Sequence, residues 1–313
     1  MHNKYIHSGI LGIFIYNEHF NVLEKHLFNN NEQYLNGKKL EEEMHKKYSN
    51  LKKPEGKELK KILELFMGKE YFPDFRKNAL SITRLEIKHS VKDDLLIMQA
   101  INCVDETSKT INILIKRLRE WYAIYNPELE HEIENQEKFV ELVLTKSKKE
   151  LLKEIQVDEK ASMGADLAKE DIEPIKALAK KAEELFDLKS VEEAYLEATM
   201  KKVCPNLLAV AGSTIGARLM EQAGGLKNLM LFPASTVQLL GAEKALFRHM
   251  KTKARAPKYG FIHEHPIISR AKKSMHGKLA RSLALKISIA VKIDYFHGKF
   301  IGDKLLKELE DIR

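Results

Sequence analysis

The stretch from Lys92 to Tyr125 reads KDDLLIMQAINCVDETSKTINILIKRLREWYAIY, and it contains no proline. Its apolar residues follow at spacings of 4, 3, 4 and 3, which is the rhythm of a coiled-coil seam: Ile111, Ile115, Leu118, Tyr122 and Tyr125. We predict one long helix from Lys92 to Tyr125, extending about 50 Å. The residues Ile111, Ile115, Leu118 and Tyr122 form its seam.

A second apolar run repeats this rhythm further along the chain. Ile175, Leu178, Ala182 and Leu185 follow at spacings of 3, 4 and 3. Asp171 is the candidate N-cap of this helix, which tolerates Pro174 in its first turn. The two long helices are expected to pair as a hairpin.

Between the two long helices we expect one amphipathic helix from Phe139 to Ile155 and a flexible tip at Ala161–Ala165. A long apolar seam is costly to leave half exposed. We therefore expect a self-association surface at the Phe139–Gly164 end, which makes the chain a homodimer. A purely intramolecular hairpin is the alternative.

The segments on either side of the hairpin differ in composition and in predicted secondary structure. Ile6–Tyr16 and Phe20–Phe28 are β-branched and aromatic runs separated by Asn17-Glu18, which predicts a pair of strands. Helices are expected at Lys57–Met67, where Gly68 is the stop signal, and at Asp74–His89. From Lys201 onward, prolines and glycines divide the chain into short helices.

These patterns predict a multidomain, mostly α fold. Its parts are a small α+β domain at residues 1–90, a long-helix coiled-coil hairpin at 91–200 and a compact all-α domain at 201–313. A chain of 313 residues, 44% of them hydrophobic, is long and apolar enough for several cores.

Cysteine content and hydropathy indicate the cellular compartment of the protein. Cys103 and Cys204 are the two cysteines, which are too few for a disulfide framework and suit a reducing environment. The apolar stretch Gly9–Tyr16 is about half the length of a membrane span, and no basic leader precedes it. We therefore expect a cytoplasmic protein without a membrane partner.

The positive charge of the chain is concentrated in one region. The whole chain carries +8, whereas residues 241–300 contain 14 Lys and Arg against Glu243, Glu264 and Asp294, a local balance of +11. The remaining residues therefore sum to −3. Such a concentration indicates a partner that is a polyanion, and nucleic acid is the leading candidate. A solvated basic face is the alternative.

Three motifs could indicate chemistry, and each is better explained by structure. Gly212–Gly216 lacks the Lys-Ser/Thr of a phosphate loop, and small residues that allow close helix packing explain it better. His263-Glu264-His265 supplies only two metal ligands, so a structural or RNA-facing role is favoured. Cys204 has no base partner nearby. We predict no catalytic residue, no metal site and no cofactor.

The basic block begins with Gly241-Ala242-Glu243 and continues through Tyr259. Leu246 and Met250, four residues apart, are expected to anchor one face of a helix. Cations on a neighbouring face and in the mobile loop beyond are candidates for phosphate contacts: Lys244, Arg248, Lys251, Lys253, Arg255 and Lys258. Tyr259 could stack on an unpaired base. Glu243 is expected to orient a cation or to cap backbone amides, and Arg248 could instead pair with it.

Several blocks from Cys204 to Phe296 resemble the Nop-domain family. The blocks occur in the order that the family has: Gly216-Ala-Arg-Leu219, Gly225-Leu-Lys-Asn228, Phe232-Pro-Ala-Ser-Thr236, Gly241–Arg248, Pro257-Lys-Tyr-Gly260, Ser288-Ile-Ala290 and Ile293-Asp294. Arg117–Trp121 and Asn126–Leu129 resemble the coiled-coil region of the same proteins.

The resemblance implies a non-catalytic scaffold of box C/D ribonucleoproteins, which guide 2′-O-methylation of ribosomal or transfer RNA. In that family the N-terminal domain docks the methyltransferase fibrillarin, which holds S-adenosylmethionine. The coiled coil forms a homodimer, and the Nop domain binds guide RNA together with a kink-turn-binding protein. Gly241, Ala242 and Glu243 belong to its signature motif. The absence of a Lys/Glu-rich tail after Arg313 suggests the archaeal type.

Two other classes of function are considered. An RNA-modifying enzyme would need a methyl-donor pocket with a glycine-rich turn between strand and helix, which the sequence does not show. A spliceosomal-type Nop-domain protein would be an RNA-protein binding module of another pathway, with a longer C-terminal extension.

Overall fold

The computed structural model describes residues 4–48, 51–252 and 254–312. The chain divides into two compact units, Met1–Lys92 and Asp93–Arg313. The mostly α fold class with a small N-terminal sheet is confirmed by the succession of elements. Among the described residues, no helix is both long enough and apolar enough to cross a lipid bilayer.

A four-stranded sheet forms the centre of the first unit. Its strands are β1 (Lys4–Gly9), β2 (Gly12–Tyr16), β3 (Val22–Leu27) and β4 (Leu51–Lys52), in the order β3-β2-β1-β4. Strand β1 pairs antiparallel with β2 and parallel with β4. The prediction of a single strand over Ile6–Tyr16 is wrong, because the run folds back on itself in a two-residue turn flanked by Gly9 and Gly12.

Strand β2 is buried along its whole length because helices cover both faces of the sheet. Ile13 and Ile15 point to one face, where they pack in a cluster with Met44. Phe14 and Tyr16 alternate with them and pack against the opposite cluster. This arrangement explains why β2 is apolar at consecutive positions rather than at alternate ones.

Four helices complete the described part of the first unit. They are α1 (Asn31–Leu35), α2 (Gly37–Lys47), α3 (Lys57–Phe66) and α4 (Phe72–Ser90). Met44 of α2 packs on one face of the sheet, and Ile62 and Phe66 of α3 pack on the other. The predicted helices at Lys57–Met67 and Asp74–His89 are confirmed within a few residues at their ends.

Among the described residues, every regular secondary-structure element of the second unit is a helix. Its helices are α5 (Asp93–Tyr125), α6 (Pro127–Glu132), α7 (Gln136–Thr145), α8 (Lys148–Glu154), α9 (Lys169–Val203), α10 (Pro205–Ala211), α11 (Ser213–Ala223), α12 (Leu226–Leu231), α13 (Ala234–Leu239), α14 (Glu243–Thr252), α15 (Pro266–Ser269), α16 (His276–Tyr295) and α17 (Gly302–Glu310). Short 3-10 helices occur at Glu159–Ala161 and Phe261–Glu264.

Helices α5 and α9 pair antiparallel as the predicted hairpin. Asp93 at the start of α5 forms a 2.8 Å ion pair with Lys202 near the end of α9. At the opposite end, Leu118 of α5 packs in one cluster with Phe139 of α7 and Ile175 of α9. The four seam residues are all buried in this cluster: Ile111, Ile115, Leu118 and Tyr122.

The segment between the two long helices differs from the prediction in two respects. The single helix predicted at Phe139–Ile155 is two helices, because Ser147 and Glu150 form a capping box that begins a new helix. The tip predicted to be flexible is held in place. Glu128 accepts hydrogen bonds from the Met163 N–H and the Ser162 hydroxyl, at 2.7 and 3.1 Å.

Helix α9 begins earlier than predicted and continues past the expected domain boundary. Its N-cap is Ala168 rather than Asp171, which lies in the first turn. The helix runs without interruption through residue 200 to Val203. One core is therefore shared by its last turns, by the start of α5, by α10–α13 and by α15–α17. The three-domain division at residues 1–90, 91–200 and 201–313 stays a prediction.

Helix α16 is the central element of the C-terminal helical region. Leu283, Ile287 and Val291 are fully buried along it. Asp294 near its end accepts hydrogen bonds from the backbone N–H groups of Asn206 and Leu207, at 3.1 and 2.8 Å. A carboxylate distant in sequence thus accepts hydrogen bonds from buried amides that lack a partner within α10.

Gly216 has the packing role predicted for the Gly212–Gly216 segment. A Cβ there would lie 2.9 Å from the Met200 side chain. The absence of a side chain at position 216 thus lets α11 lie close to the Met200 and Leu207 side chains.

Candidate nucleic-acid interface

The cations of the basic block are exposed on α14 and on the segment that follows it. The exposed set comprises Lys244, Arg248 and Lys251 on α14 and Arg255 and Lys258 beyond it. None of these five has an ion-pair partner within the described part of the chain. Lys253, the sixth predicted contact, lies outside the described residues. The charge of this region is therefore presented to solvent rather than neutralised internally.

Gly241, Ala242 and Glu243 shape the turn that starts α14. Gly241 has φ +88°, and a Cβ there would lie 2.7 Å from the Phe261 ring. Only glycine combines this left-handed backbone with such a close approach. The carboxylate of Glu243 accepts a 2.7 Å hydrogen bond from the Gly241 N–H. The prediction that Glu243 caps a backbone amide is confirmed, and Arg248 is not its ion-pair partner in the structure.

The loop after α14 returns to α13 and is fixed there. The Gln238 side-chain amide donates a 2.6 Å hydrogen bond to the Lys258 carbonyl, and the Gly260 N–H donates a 2.8 Å bond to the Gln238 carbonyl. A Cβ at Gly260 would lie only 1.7 Å from the Leu240 carbonyl oxygen. The end of the loop predicted to be mobile is therefore anchored, so that Lys258 is held beside the core.

Helix α14 contains no fully buried residue, which contradicts the anchoring role predicted for Met250. Met250 is 70% exposed and Phe247 is 60% exposed, whereas Leu246 is half-buried. The helix is attached by its first turn and by Leu246. Phe247 and Met250, three residues apart, instead form an apolar strip beside the cations. A strip of this kind offers contact area to a base or to a protein partner.

A cavity of about 490 Å³ opens at the start of α14. Lys244 and Arg248, one turn apart, line it together with Gln222, Glu243 and Phe261. Two cations and an aromatic ring are groups that contact the phosphate and the base of a nucleotide.

Tyr259 lies in an aromatic cluster rather than free in solvent. Its ring stacks on the His263 ring at 4.6 Å with an interplanar angle of 8°, and the His276 ring lies 5.7 Å from that of His263. Tyr259 is half-buried. The Tyr259 ring, which we predicted to stack on a base, therefore already stacks on His263 with one face.

The three residues His263, Glu264 and His265 have separate structural roles. His263 belongs to the aromatic cluster, and Glu264 forms a 2.6 Å ion pair with Arg218. His265 is buried, and its Nδ1 accepts a 3.3 Å hydrogen bond from the Ile267 N–H at the start of α15. Burial lowers the pKa of His265, so the neutral ring is favoured. Among the described residues, no group of three His, Cys, Asp or Glu side chains could hold a metal ion.

Arg218 was not singled out by sequence reasoning. Its guanidinium contacts both carboxylate oxygens of Asp105 on α5, with Nη2 at 2.6 Å, and Nη1 reaches Glu264. One side chain thus connects α5, α11 and the 3-10 helix that carries His263. Arg218 lies inside the Gly216–Leu219 block, but its partners are 113 and 46 residues away in the sequence.

Cys204 is completely buried. Burial raises the pKa of its thiol, which keeps the thiol protonated. The sulfur packs in the core between α9 and α10. Its surroundings are those of a structural cysteine rather than of a nucleophile.

Comparison with known families gives one match that spans residues 103–312. The matching model is named Nop and is described as "snoRNA binding domain, fibrillarin". It includes the seam end of α5, the whole of α9 and all of the candidate interface.

Curated relatives show the same affiliation. A NOP5 family protein of Methanocaldococcus jannaschii is 36% identical over 275 residues, covering 79% of this chain and 66% of its own. Nucleolar protein 56 of Homo sapiens is 36% identical over 253 residues, covering 74% of this chain and 43% of its own. Nucleolar protein 58 of Aspergillus fumigatus is 39% identical over 229 residues, with shares of 68% and 39%. The chain thus matches less than two thirds of the length of each relative.

One solved structure, a fibrillarin/Nop5p complex, contains a chain that superposes with a TM-score of 0.45 at 24% identity. The superposition covers 98% of this chain and 100% of the other. A TM-score this low establishes no shared arrangement of the whole chain.

Proposed function

Because this chain belongs to the Nop family, we propose that it is a scaffold subunit of a box C/D guide ribonucleoprotein. In this role it binds guide RNA that already carries the kink-turn-binding protein, and it recruits fibrillarin for 2′-O-methylation. The observation that carries the proposal is the family match over residues 103–312, which contain a surface of exposed, unpaired cations.

The RNA-binding part of the proposal is supported by the chemistry of α14. Lys244, Arg248 and Lys251 can contact phosphates, which positions an RNA without reading its sequence. Phe247 and Met250 supply apolar area next to these cations. A surface with both properties suits a junction where RNA and the kink-turn-binding protein meet.

The scaffold is proposed to perform no methyl transfer itself. S-adenosylmethionine belongs to the fibrillarin partner in this proposal, and this chain holds no cofactor. The family description names fibrillarin beside the RNA-binding domain, which supports a role for fibrillarin as the methyltransferase and for this chain as the RNA-binding scaffold.

Residues 1–90 are proposed to dock fibrillarin. Met1–Lys92 is a unit with its own sheet and its own apolar clusters, as an independent docking module requires. Exposed apolar side chains on this unit, among them Leu35 and Met67, offer contact area. A variant that lacks residues 1–90 should lose fibrillarin in a pull-down but keep RNA. Retention of fibrillarin by this variant would contradict the docking assignment.

The chain is proposed to form a homodimer through the Phe139–Gly164 end of the hairpin. Met163, 83% exposed, and Ile124 provide unburied apolar area at this end. Sedimentation at micromolar concentration should give the mass of a dimer, and a monomer would contradict this part of the proposal.

Reconstitution tests the function as a whole. The isolated chain, with labelled S-adenosylmethionine and a target RNA, should transfer no methyl group. Addition of fibrillarin, the kink-turn-binding protein and a guide RNA should produce transfer. A matched mixture without this chain should not reach the same rate. Transfer by the chain alone, or full transfer without it, would refute the scaffold function.

A further inference from the structure

The seam of the hairpin is interrupted by polar residues near its middle. On α5, spacings of 4, 3, 4, 3, 4, 3 and 4 connect eight positions of one helix face: Ile97, Ile101, Val104, Ser108, Ile111, Ile115, Leu118 and Tyr122. All of these are buried hydrophobic residues except Ser108. The spacing of the seam is therefore unbroken along α5, but one of its positions is polar.

Helix α9 is polar at the same level of the hairpin. Its seam positions follow the same spacings: Ile175, Ala179, Ala182, Phe186, Lys189, Glu193, Leu196 and Met200. Both seams begin in the core that contains Ile97 and Met200. Counted from there, the fourth positions of the two helices are Ser108 and Lys189, and the third position of α9 is Glu193. We call Ser108, Lys189 and Glu193 the polar layer.

The seam is open to solvent along the polar layer. Helix α9, all of which the structure describes, has no buried residue between Ala182 and Leu196. The Glu193 side chain is 49% exposed, and its carboxylate lies 3.7 Å from the Lys189 ammonium group. An exposed pair of this kind contributes little to stability. The large apolar side chains of this stretch do not close the seam, because they are exposed: Leu188, Val191 and Tyr195.

Helix α5 also contains polar side-chain contacts at this level. Thr107 is buried, and its Oγ1 lies 4.0 Å from the Cys103 sulfur. The Thr110 hydroxyl donates a 2.9 Å hydrogen bond to the Glu106 carbonyl. A hydroxyl that bonds to the carbonyl one turn earlier slightly destabilises a helix and favours its bending. The middle of α5 is therefore less rigid than the apolar seam on either side.

Each side of the polar layer has its own core. On one side, Ile97 of α5 and Leu196 of α9 pack with the C-terminal helices, and the contact of Arg218 with Asp105 fixes α5 to α11. On the other side, Leu118 packs in the cluster that includes α7 and α9. Among the described residues, the two cores share no member. The hairpin thus consists of two packed halves joined by a weakly packed middle.

We propose that the polar layer is a hinge at which the two halves of the hairpin bend relative to each other. Close-packed apolar side chains resist deformation, whereas the polar layer has few buried apolar contacts to lose. Bending therefore costs least free energy at this level. Both helices continue without interruption through the layer, so the motion is a gradual bend rather than a kink.

The hinge goes beyond the proposed function and depends neither on RNA nor on a partner protein. It changes the orientation of the Phe139–Gly164 end relative to the C-terminal helices that carry the candidate interface. The isolated chain is sufficient for the test, and a failure of the hinge leaves the proposed function unaffected.

Amide hydrogen exchange of the whole chain tests the local stability of the layer. The amides of residues 187–195 should exchange about ten-fold faster than those of residues 179–182 and 196–200, which contribute to the two cores. All of these residues lie inside α9, so the difference reports local opening rather than the absence of helical hydrogen bonds. Equal protection along the helix would overturn the proposal.

A variant with an apolar layer tests the cause of this opening. Ser108→Leu/Lys189→Leu/Glu193→Leu continues the apolar seam through the polar layer. Exchange of residues 187–195 should slow by about ten-fold, because leucines at these positions can pack between the helices. Glu193→Leu alone should slow it to a smaller extent, which provides a second variant if the triple variant does not fold. Unchanged exchange in the folded variants would contradict the hinge.

The matched control adds leucines to the same helices outside the seam. Lys109→Leu/Asp187→Leu/Ser190→Leu changes three exposed positions and removes one positive and one negative charge, as the apolar-layer variant does. Exchange of residues 187–195 should remain that of the parent. An equal slowing in the control would overturn the proposal, since the effect would then follow from leucine content and not from the seam.

Distances between two spin labels measure the bend itself. The labels are attached at Lys153→Cys on α8 and Lys227→Cys on α12, both exposed positions, in a Cys103→Ser background. Cys204 is completely buried and stays unlabelled. An excess of unlabelled chain ensures that each measured distance lies within one chain.

The width of the distance distribution decides the outcome. The parent should give a broad distribution, the apolar-layer variant a narrower one, and the leucine control a distribution as broad as that of the parent. A narrow distribution in the parent, or equal widths in the parent and the apolar-layer variant, would show that the polar layer is not a hinge.

Discussion

At the scale of single residues, Glu243 is the side chain with the best-defined local role. Its carboxylate satisfies the Gly241 N–H at the turn that starts α14. The acidic residue inside a basic block thus supports the shape of the block rather than its charge.

Replacement of Glu243 by alanine should destabilise this turn. The lost hydrogen bond is expected to cost about 0.5 to 1.5 kcal/mol of unfolding free energy, measured by denaturant titration. Glu243→Gln keeps an oxygen acceptor and serves as the control, with a smaller loss. Equal losses in the two variants would show that the charge of Glu243, and not its hydrogen bond, is what matters.

His265 should make stability depend on pH in the weakly acidic range. Burial lowers its pKa in the folded state below the usual value of about 6.5. The unfolded chain then binds the proton more readily, so stability is fully present above pH 6.5 and falls as the pH drops through the folded pKa.

The measurement is the melting temperature between pH 7.5 and pH 5 for the parent and for His265→Asn. Asparagine can still cap α15 but does not titrate. The parent should lose more stability than the variant as the pH falls. Parallel curves would mean that His265 is not the responsible group.

At the scale of elements, the seam of α5 carries the hairpin. Leu118 on α5 is fully buried against α7 and α9, whereas Ile113 on the same helix is 70% exposed. Both residues lie on α5 and they differ in burial, so they form a matched pair for substitution.

Leu118→Ala should lower the unfolding free energy by about 2 to 5 kcal/mol, because it removes buried methyl groups and leaves a cavity. Ile113→Ala should change it by less than about 0.5 kcal/mol. Denaturant titration of both variants checks the prediction. Similar losses at the two positions would contradict the observed burial.

The contact between α5 and α11 depends on the pair Arg218 and Asp105. The guanidinium contacts both carboxylate oxygens and is partly buried, which makes the interaction stronger than that of an exposed pair. A double-mutant cycle with Arg218→Ala and Asp105→Ala should give a coupling energy between about 0.5 and 3 kcal/mol. A coupling near zero would show that the two side chains act independently.

At the scale of the whole molecule, charge is divided between regions. Residues 241–300 carry a balance of +11 within a chain of +8, so the remainder is slightly acidic. We therefore expect a polyanion to bind at the basic region.

Charge reversal in the loop after α14 should weaken RNA assembly without lowering the melting temperature. Arg255→Glu and Lys258→Glu both change exposed side chains. Each should lower the magnitude of the salt slope by roughly 0.7 to 0.9 for a lost phosphate contact. Lys201→Glu on α9, which also reverses an exposed cation, is the control. A similar effect of the control would indicate a response to net charge alone.

The sequence by itself determined the elements whose signals are local. The 4, 3, 4, 3 spacing identified α5 and its buried seam, because a helix places such residues on one stripe whatever surrounds it. The concentration of charge identified the basic block, which begins with Gly241-Ala242-Glu243. Each of these inferences depended on residues within one continuous stretch of the sequence.

Only the tertiary structure decided which distant residues meet. The contact of Arg218 with Asp105 and Glu264, and the aromatic cluster of Tyr259, His263 and His276, join separate elements. The exposure of Met250 was also decided at this level, because helical spacing identifies a face but not whether a neighbour covers it. Such contacts depend on how whole elements pack, and packing is the sum of many interactions that no short segment contains.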